Sequence, residues 1–465
     1  MTSTERRTVA LILVLMAILS FWLASNRTFD PVYIQPDEPF NTDFYRQQAI
    51  SMLNGRLDVP YNQFQFTECF FRESRCYGYF GLVPSILRLP GFVLTGSTDF
   101  NPSPIIIAAG VTIALWAAID LALGIAGADP SNQRLNAASR MRLIVYTALL
   151  LGPGGLLVFL SQAKIYYEAE VLMIAALLVS FCLVLRWILH RQPSHLLLAL
   201  LAGVVATNSR PAALLPLIVL GGGVVLIALR RRTERTRNEV ILGAGLAAVP
   251  TVSALGVFWL KLRTLTPSFE QYQGYSGGVM QSLLRANDGA LQGLRFLPTN
   301  LINFLRPDTL GIQKQWPWIY HAVPFDKQAL VLPPMTQAGL YVEFSASLTN
   351  TMPVPFLLTV GFIILLAVGV VRLTTEQWQI FGLLLVAAAA ATAAVLTSFA
   401  LTTRYLGDFF PLVVVGCVFA LVSLLHYLEG RVLATRVMTA VVVLSSIATF
   451  IINLSLHQWA FLTAG

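Results

Sequence analysis

Three groups of side chains in this 465-residue sequence are suited to chemistry. The first is acidic and early: Asp37-Glu38, then Asp43 in Asn41-Thr-Asp-Phe-Tyr-Arg-Gln-Gln-Ala-Ile-Ser-Met-Leu-Asn-Gly-Arg-Leu-Asp58, all just beyond the first long apolar run. A carboxylate partly buried at such a boundary has its pKa raised toward neutrality and can act as a general base toward a sugar or lipid hydroxyl. Phe44, Ile50, Leu53 and Leu57 follow at roughly helical spacing, which predicts an amphipathic surface helix, so the other reading of Asp43 is a helix cap.

The second group is Gln162-Ala-Lys164-Ile-Tyr166-Tyr167-Glu168-Ala-Glu170, at the start of another apolar run. Acids there are costly unless paired or facing water, so Glu168 and Glu170 are candidate functional acids, with mild stabilisation of a helix N-terminus as the alternative. The third group is cationic: Arg210 in Thr207-Asn-Ser-Arg-Pro211, Arg306 in Asn303-Phe-Leu-Arg-Pro307, and Arg404 in Thr402-Thr-Arg-Tyr-Leu-Gly-Asp408. A guanidinium fork suits a lipid phosphate, and Lys164 adds a fourth cation; pairing with nearby acids is the competing role. Cys69 and Cys76 flank Phe-Phe-Arg-Glu-Ser-Arg and are expected to pair as a disulfide, whereas Cys182 and Cys417 lie within apolar runs as small buried residues. A phosphate-binding GxxxxGK[ST], HExxH and GxSxG are all absent, which argues against nucleotide-driven pumping and zinc hydrolysis.

The elements that must position these residues are membrane helices. The chain is 56% hydrophobic and 12% charged with a mean hydropathy of +0.69, and runs such as Ile105 to Ile125 and Val171 to Leu185 approach the roughly 20 residues that a hydrocarbon core requires. Lipid offers backbone groups no partners, so these runs must be helical. We place about eleven spans near 9–24, 103–126, 143–161, 168–185, 195–207, 211–229, 240–260, 353–371, 377–400, 406–427 and 437–455. The first is read as a retained anchor.

The net charge of +8 rests on 27 Arg against 4 Lys. With the N-terminus inside, fifteen arginines fall in short inner segments, Arg6, Arg142, Arg431 and Arg436 among them, while the short outer connections hold only Lys164, Arg210 and Arg404. That is an orientation signal, not a nucleic-acid patch. Tyr79 to Leu94 is apolar but carries Pro84, Arg88 and Pro90; as a crossing it would invert everything after it, so we read it as interfacial or re-entrant. Two long outer loops result, 25–102 and about 262–352, dividing the chain into an N-terminal catalytic module (1–262), an outer loop region (263–352) and C-terminal helices (353–465) of a multi-pass cell-membrane protein.

The blocks Asp37-Glu38, Asp43-Phe-Tyr-Arg-Gln-Gln-Ala, Gly78-Tyr-Phe-Gly-Leu-Val-Pro-Ser-Ile-Leu-Arg-Leu-Pro90, Tyr167-Glu168-Ala, Asn208-Ser-Arg-Pro and Arg404-Tyr-Leu-Gly-Asp-Phe-Phe-Pro411 are together similar to the GT-C superfamily of membrane glycosyltransferases, in a bacterial, often actinobacterial, group. The resemblance implies an all-α polytopic fold and transfer of a sugar from a polyprenyl-phosphate donor to a glycan, lipid or protein acceptor at the outer face. It implies a base among Asp43, Asp37 and Glu38; three acids compete where the family pattern needs one. It further implies that Glu168 holds a metal (Mg or Mn, not required by the sequence) or orders the phosphate, and that an outer Arg lies near that phosphate. Tyr272, Trp316 and Trp318 would offer sugar-stacking platforms, although core aromatics are the commoner explanation. The rivals are a polysaccharide polymerase or ligase using a diphospho-lipid donor and the outer Arg and His321, and a lipid-linked-sugar flippase, for which Asp120 is the clearest intramembrane acid.

Overall fold

The computed structural model describes residues 1–33, 43–60, 69–73, 75–78, 80–128, 135–231, 236–265 and 279–462. Asp37, Glu38 and Tyr272 lie outside them. The chain is an all-α polytopic membrane protein whose few strands occur as two-stranded pairs. Its helices are α1 Ser3–Ala24, α2 Asp43–Leu53, α3 Val83–Ile86, α4 Leu89–Thr95, α5 Ser103–Gly127, α6 Ala137–Leu151, α7 Leu157–Leu160, α8 Ile165–His190, α9 Pro193–Ser209, α10 Leu214–Arg231, α11 Thr236–Leu262, α12 Val279–Ala286, α13 Leu297–Leu305, α14 Leu348–Thr351, α15 Pro353–Ala367, α16 Thr375–Leu396, α17 Leu406–Leu428 and α18 Val432–Leu462.

Among the described residues, eight helices are long and apolar enough to cross a membrane. The other three expected spans correspond to α6, α9 and α15, of 15, 17 and 15 residues, which at about 1.5 Å per residue fall short of a hydrocarbon core of about 30 Å. Their ends have local causes. The expected run 143–161 breaks after Leu151 at Gly152-Pro153-Gly154-Gly155 and resumes as α7. Asn453 of α18 donates to the Gly155 carbonyl at 3.1 Å and to that of Thr351 at 3.0 Å, satisfying backbone that the break frees. α9 stops at Arg210 because Pro211 cannot continue the ladder.

The most buried long spans are α8 and the Thr403–Leu428 segment that contains α17, each with 78% of its apolar window buried, with α5 next at 67%; α1, α11 and α18 are peripheral. The two helices that carry Glu168, Glu170 and Asp408 are therefore the innermost.

The segment read as interfacial is two short helices, α3 and α4, each opening with a proline in its first turn. Neither is long enough to cross. Its approach to the bundle is close: a side chain at Gly81 would collide with the Asn208 carbonyl of α9, and the buried Lys261 ammonium at the end of α11 donates to the carbonyls of Gly78 (3.0 Å) and Phe80 (2.6 Å). α2 turns Phe44, Tyr45, Gln48 and Ala49 inward; the Tyr45 hydroxyl donates to the Ile165 carbonyl at 2.7 Å, and Gln48 Oε1 accepts from Ser85 at 2.6 Å. Strands β1 Cys69–Arg72 and β2 Arg75–Gly78 form an antiparallel hairpin ahead of it.

The later loop folds back on the bundle through β3 Leu310–Ile312 with β4 Ile319–His321, and through β5 Tyr341–Val342, which pairs in parallel with β6 Ala400–Leu401. This last pairing clamps the loop to the segment that leads into Arg404.

Candidate active site

Asp43 is partly buried at the first position of α2 and forms an ion pair with Arg46; Gln47 donates to its other oxygen at 3.2 Å. Arg46 reaches on to the Thr98 carbonyl at 3.2 Å and to Asp99 at 3.4 Å. Asp43 therefore stands at the helix start, held by Arg46 and Gln47, and remains one of the three first-loop acids.

Glu168 has no solvent exposure, and neither has its partner Arg88. The guanidinium grips both carboxylate oxygens, at 2.6 and 3.0 Å, and donates to Asn101 (3.0 Å), Ser103 (2.5 Å) and the Pro84 carbonyl (2.7 Å). Such a pair is stable in a dry interior because the fork matches the carboxylate and the remaining donors are satisfied. It locks α3, α4 and the start of α5 onto α8.

Two residues further along α8, Glu170 points elsewhere. Arg210 donates to Glu170 at 2.5 Å and to Asp408 at 2.7 Å, and both acids are fully buried. Glu170 packs so closely against the first turn of α17 that a side chain at Gly407 would collide with its Oε1. Arg404 sits beside this group: its guanidinium lies 3.5 Å from the centre of the Tyr166 ring and donates to Glu343 at 3.4 Å. Tyr166 in turn meets Phe80 edge-on at 5.6 Å and belongs to a small core with Phe44, Tyr45, Val59 and Ile165. Tyr166 thus lies between the first loop and the arginines, so the start of α8, the end of α9, the start of α17 and the later loop converge at one end of the bundle.

The three arginines all pair with acids. Arg306 grips Asp308 with two bonds (2.6 and 2.8 Å) and donates to the Gln328 carbonyl at 2.9 Å; that grip holds the Asp308 carboxyl well below its usual range. Arg306 is therefore engaged within the later loop, whereas Arg210 and Arg404 stand together. Lys164 is buried immediately before α8. Trp316 and Trp318 are exposed at the turn between β3 and β4 and meet edge-on at 4.9 Å. Among the described residues the free thiols are Cys182 and Cys417, both buried in spans. Cys76 is buried on β2 opposite Phe71, and Cys69 opposes Gly78, so the two cysteines occupy facing strands; the Cys69 side chain lies outside the described residues.

His321 is wholly buried among Phe159, Phe344 and Trp459 and shares a hydrogen bond with Thr403 at 3.2 Å, next to Arg404. Burial lowers its imidazole from 6.5 to about 3, although a hydrogen bond with the Ser345 backbone opposes the shift. The unfolded chain therefore binds this proton first on acidification. Folding stability from the neutral ring is intact above about pH 6.5 and is lost as pH falls from there toward about 3. His321→Phe is expected to flatten that part of the pH dependence of the unfolding midpoint; an unchanged slope would contradict this assignment.

Arg88, Asp408, Glu343 and Lys261 went unassigned in the sequence. For Arg88 the signal was present: a lone cation inside an apolar stretch needs a buried partner. For Asp408 it was an acid in the first turn of an apolar span, which likewise needs a buried partner. Among the described residues no group of three or more His, Cys, Asp or Glu could hold a metal. The buried pair Glu170 and Asp408 already encloses the Arg210 guanidinium, so these two do not fit a divalent ion.

No protein-family model matches the chain, and no curated protein does. Among solved structures it is similar in arrangement to the archaeal oligosaccharyltransferase AglB from Archaeoglobus fulgidus in complex with an inhibitory peptide and a dolichol-phosphate, at 14% identity, covering 98% of this chain and 57% of that one with a TM-score of 0.47. The Archaeoglobus fulgidus oligosaccharyltransferase in its apo form matches at 14% identity over the same shares with a TM-score of 0.49. The form tethered to an acceptor peptide gives 14%, shares of 96% and 55%, and 0.46. The chain spans a little over half the length of the structures it matches, and a likeness of this degree assigns it no activity.

Proposed function

We propose that the chain is a membrane glycosyltransferase that moves a sugar from a polyprenyl-phosphate donor to a glycan, lipid or protein acceptor, with the loop end of the bundle facing outward. The observation that carries this reading is the convergence at that end of Arg210, Arg404, Glu170, Asp408 and Tyr166, with Tyr166 meeting Phe80 of the first outer loop; the same loop carries Asp37, Glu38 and Asp43 in the sequence. The N-terminal half, 1–262, supplies the acids and Arg210; the loop 263–352 covers the acceptor side, with Trp316 and Trp318 as stacking surfaces; the helices of 353–465 bring Arg404.

In the reaction a first-loop carboxylate takes the proton of the acceptor hydroxyl, and that oxygen attacks the anomeric carbon from the face opposite the phosphate. The bond from the anomeric carbon to the phosphate oxygen breaks, and its electron pair leaves on the phosphate, with inversion at carbon. Arg404, aided by Arg210, offsets the charge that develops there. Because Glu168 is saturated by Arg88, its part is to hold the first loop against α8. The hairpin ahead of α3 is pinned by a Cys69–Cys76 disulfide; a thiol-labelling count of four reactive cysteines in the denatured, unreduced chain, where two are expected, would refute that pairing.

Proteoliposomes supplied with a polyprenyl-phosphate-linked sugar test the proposal. Release of polyprenyl phosphate, matched by sugar bound covalently to an acceptor, is the expected result. Uptake of intact donor with no covalent product would replace the transferase by a transporter.

A further inference from the structure

A cavity of about 470 Å³ opens at the end of the bundle opposite the candidate site, between the start of α6, the end of α17 and the start of α18. Along α17 it lies about 30 Å from Asp408, the rise of the helix from there to Leu428 at the cavity. Arg142, Arg431 and Arg436 line it together with Asn136, Ser139 and Glu429. Three other arginines at this end are paired, Arg140 with Glu5 at 3.0 Å, Arg186 with Asp120 at 2.7 Å and Arg231 with Glu376 at 3.6 Å, while Arg6 and Arg7 are exposed outside the cavity. Among the described residues Arg142, Arg431 and Arg436 form no ion pair. Glu429 is the cavity's one acid, and it accepts from the Asn136 backbone at 3.2 Å. The walls therefore carry a surplus of two positive charges.

Arg431 stacks on Tyr427 at 3.9 Å. Stacking uses the face of a guanidinium and leaves its N–H edge for a planar or tetrahedral anion. Val432, at the rim, is 64% exposed, and Leu433 beside it 76%. A charged cavity edged by exposed apolar residues at the end of a membrane helix fits a ligand with a phosphate at one end and acyl chains at the other.

We propose that this cavity binds the phosphate of an anionic lipid headgroup in the leaflet at that end of the bundle. The proposal does not depend on the transferase reading.

Native mass spectrometry of the full chain in detergent, titrated with phosphatidylglycerol or with phosphatidylcholine of the same acyl length, tests it. Preferential retention of phosphatidylglycerol is expected, falling about fivefold for each arginine removed in Arg431→Gln/Arg436→Gln and in the separate variant Arg142→Gln on α6, since a cation near the surface contributes about 1 kcal/mol toward an anionic lipid. Arg6→Gln/Arg7→Gln, which removes two exposed charges from the same end, is expected to leave retention unchanged. Unfolding midpoints in lipid-free detergent show which variants remain folded, and Arg142→Gln gives an independent reading if the double variant does not. Retention that is the same in the wild type and the cavity variants would overturn the proposal, as would an equal loss in Arg6→Gln/Arg7→Gln, which would indicate bulk charge. Displacement by excess inorganic phosphate would assign the cavity to a soluble phosphate compound and overturn the lipid assignment.

Discussion

Arg88→Met is expected to destabilise the folded protein by about 3–5 kcal/mol, because it strands the Glu168 carboxylate without a partner in a site closed to water. A change of that size is exceptional for one substitution. The double variant Arg88→Met/Glu168→Leu is expected to recover most of the loss, since two apolar groups of similar volume need no desolvation. Unfolding midpoints of the detergent-purified proteins give both values. Equal destabilisation by the single and double variants would show that Arg88 acts through Asn101, Ser103 and the Pro84 carbonyl and not through Glu168. The same experiment bears on function, because the pair helps fix the first loop to α8, together with the Tyr45 hydroxyl on the Ile165 carbonyl.

The second large effect concerns rate. Arg404→Gln is expected to lower kcat/KM for sugar transfer about a hundredfold, the usual cost of removing one group aimed at charge that develops in a transition state. Its stability effect is expected to be small by comparison, because Glu343 remains partly exposed to solvent (side chain 25%) when left alone. Arg404→Lys keeps the charge but loses both the fork and the flat contact with the Tyr166 ring, so it is expected to restore only part of the rate. Unaltered kinetics in Arg404→Gln would remove this residue from the phosphate site.

Much of the architecture was legible in the sequence, because its signals are local. Apolar runs of about the right length located the long helices, and Pro84, Arg88 and Pro90 marked Tyr79 to Leu94 as something other than a crossing. The break at Gly152 to Gly155 was passed over because the apolar run continues through Leu156 to Leu160, and hydropathy does not register a loss of helix geometry.

The site was less legible because its contacts are long-range. Glu168 and Glu170 look equivalent in the sequence, but two positions on a helix differ by about 200° in direction, so one meets Arg88 and the other meets Arg210. Their partners lie 80 and 40 residues away, and no periodicity encodes such a pairing. Arg210, Arg306 and Arg404 shared one signal, a cation on the side where orientation disfavours it. Only the fold separates Arg306, taken up by Asp308 two residues on, from the two that meet at Tyr166 and Asp408.

The central claim is that a first-loop carboxylate activates the acceptor. Asp37→Asn, Glu38→Gln and Asp43→Asn, each reconstituted in vesicles with a polyprenyl-phosphate-linked sugar and assayed for covalent transfer, test it most directly. One of the three is expected to lose transfer by about a hundredfold or more while still binding donor. If all three transfer at the wild-type rate, the base lies elsewhere and the account is wrong.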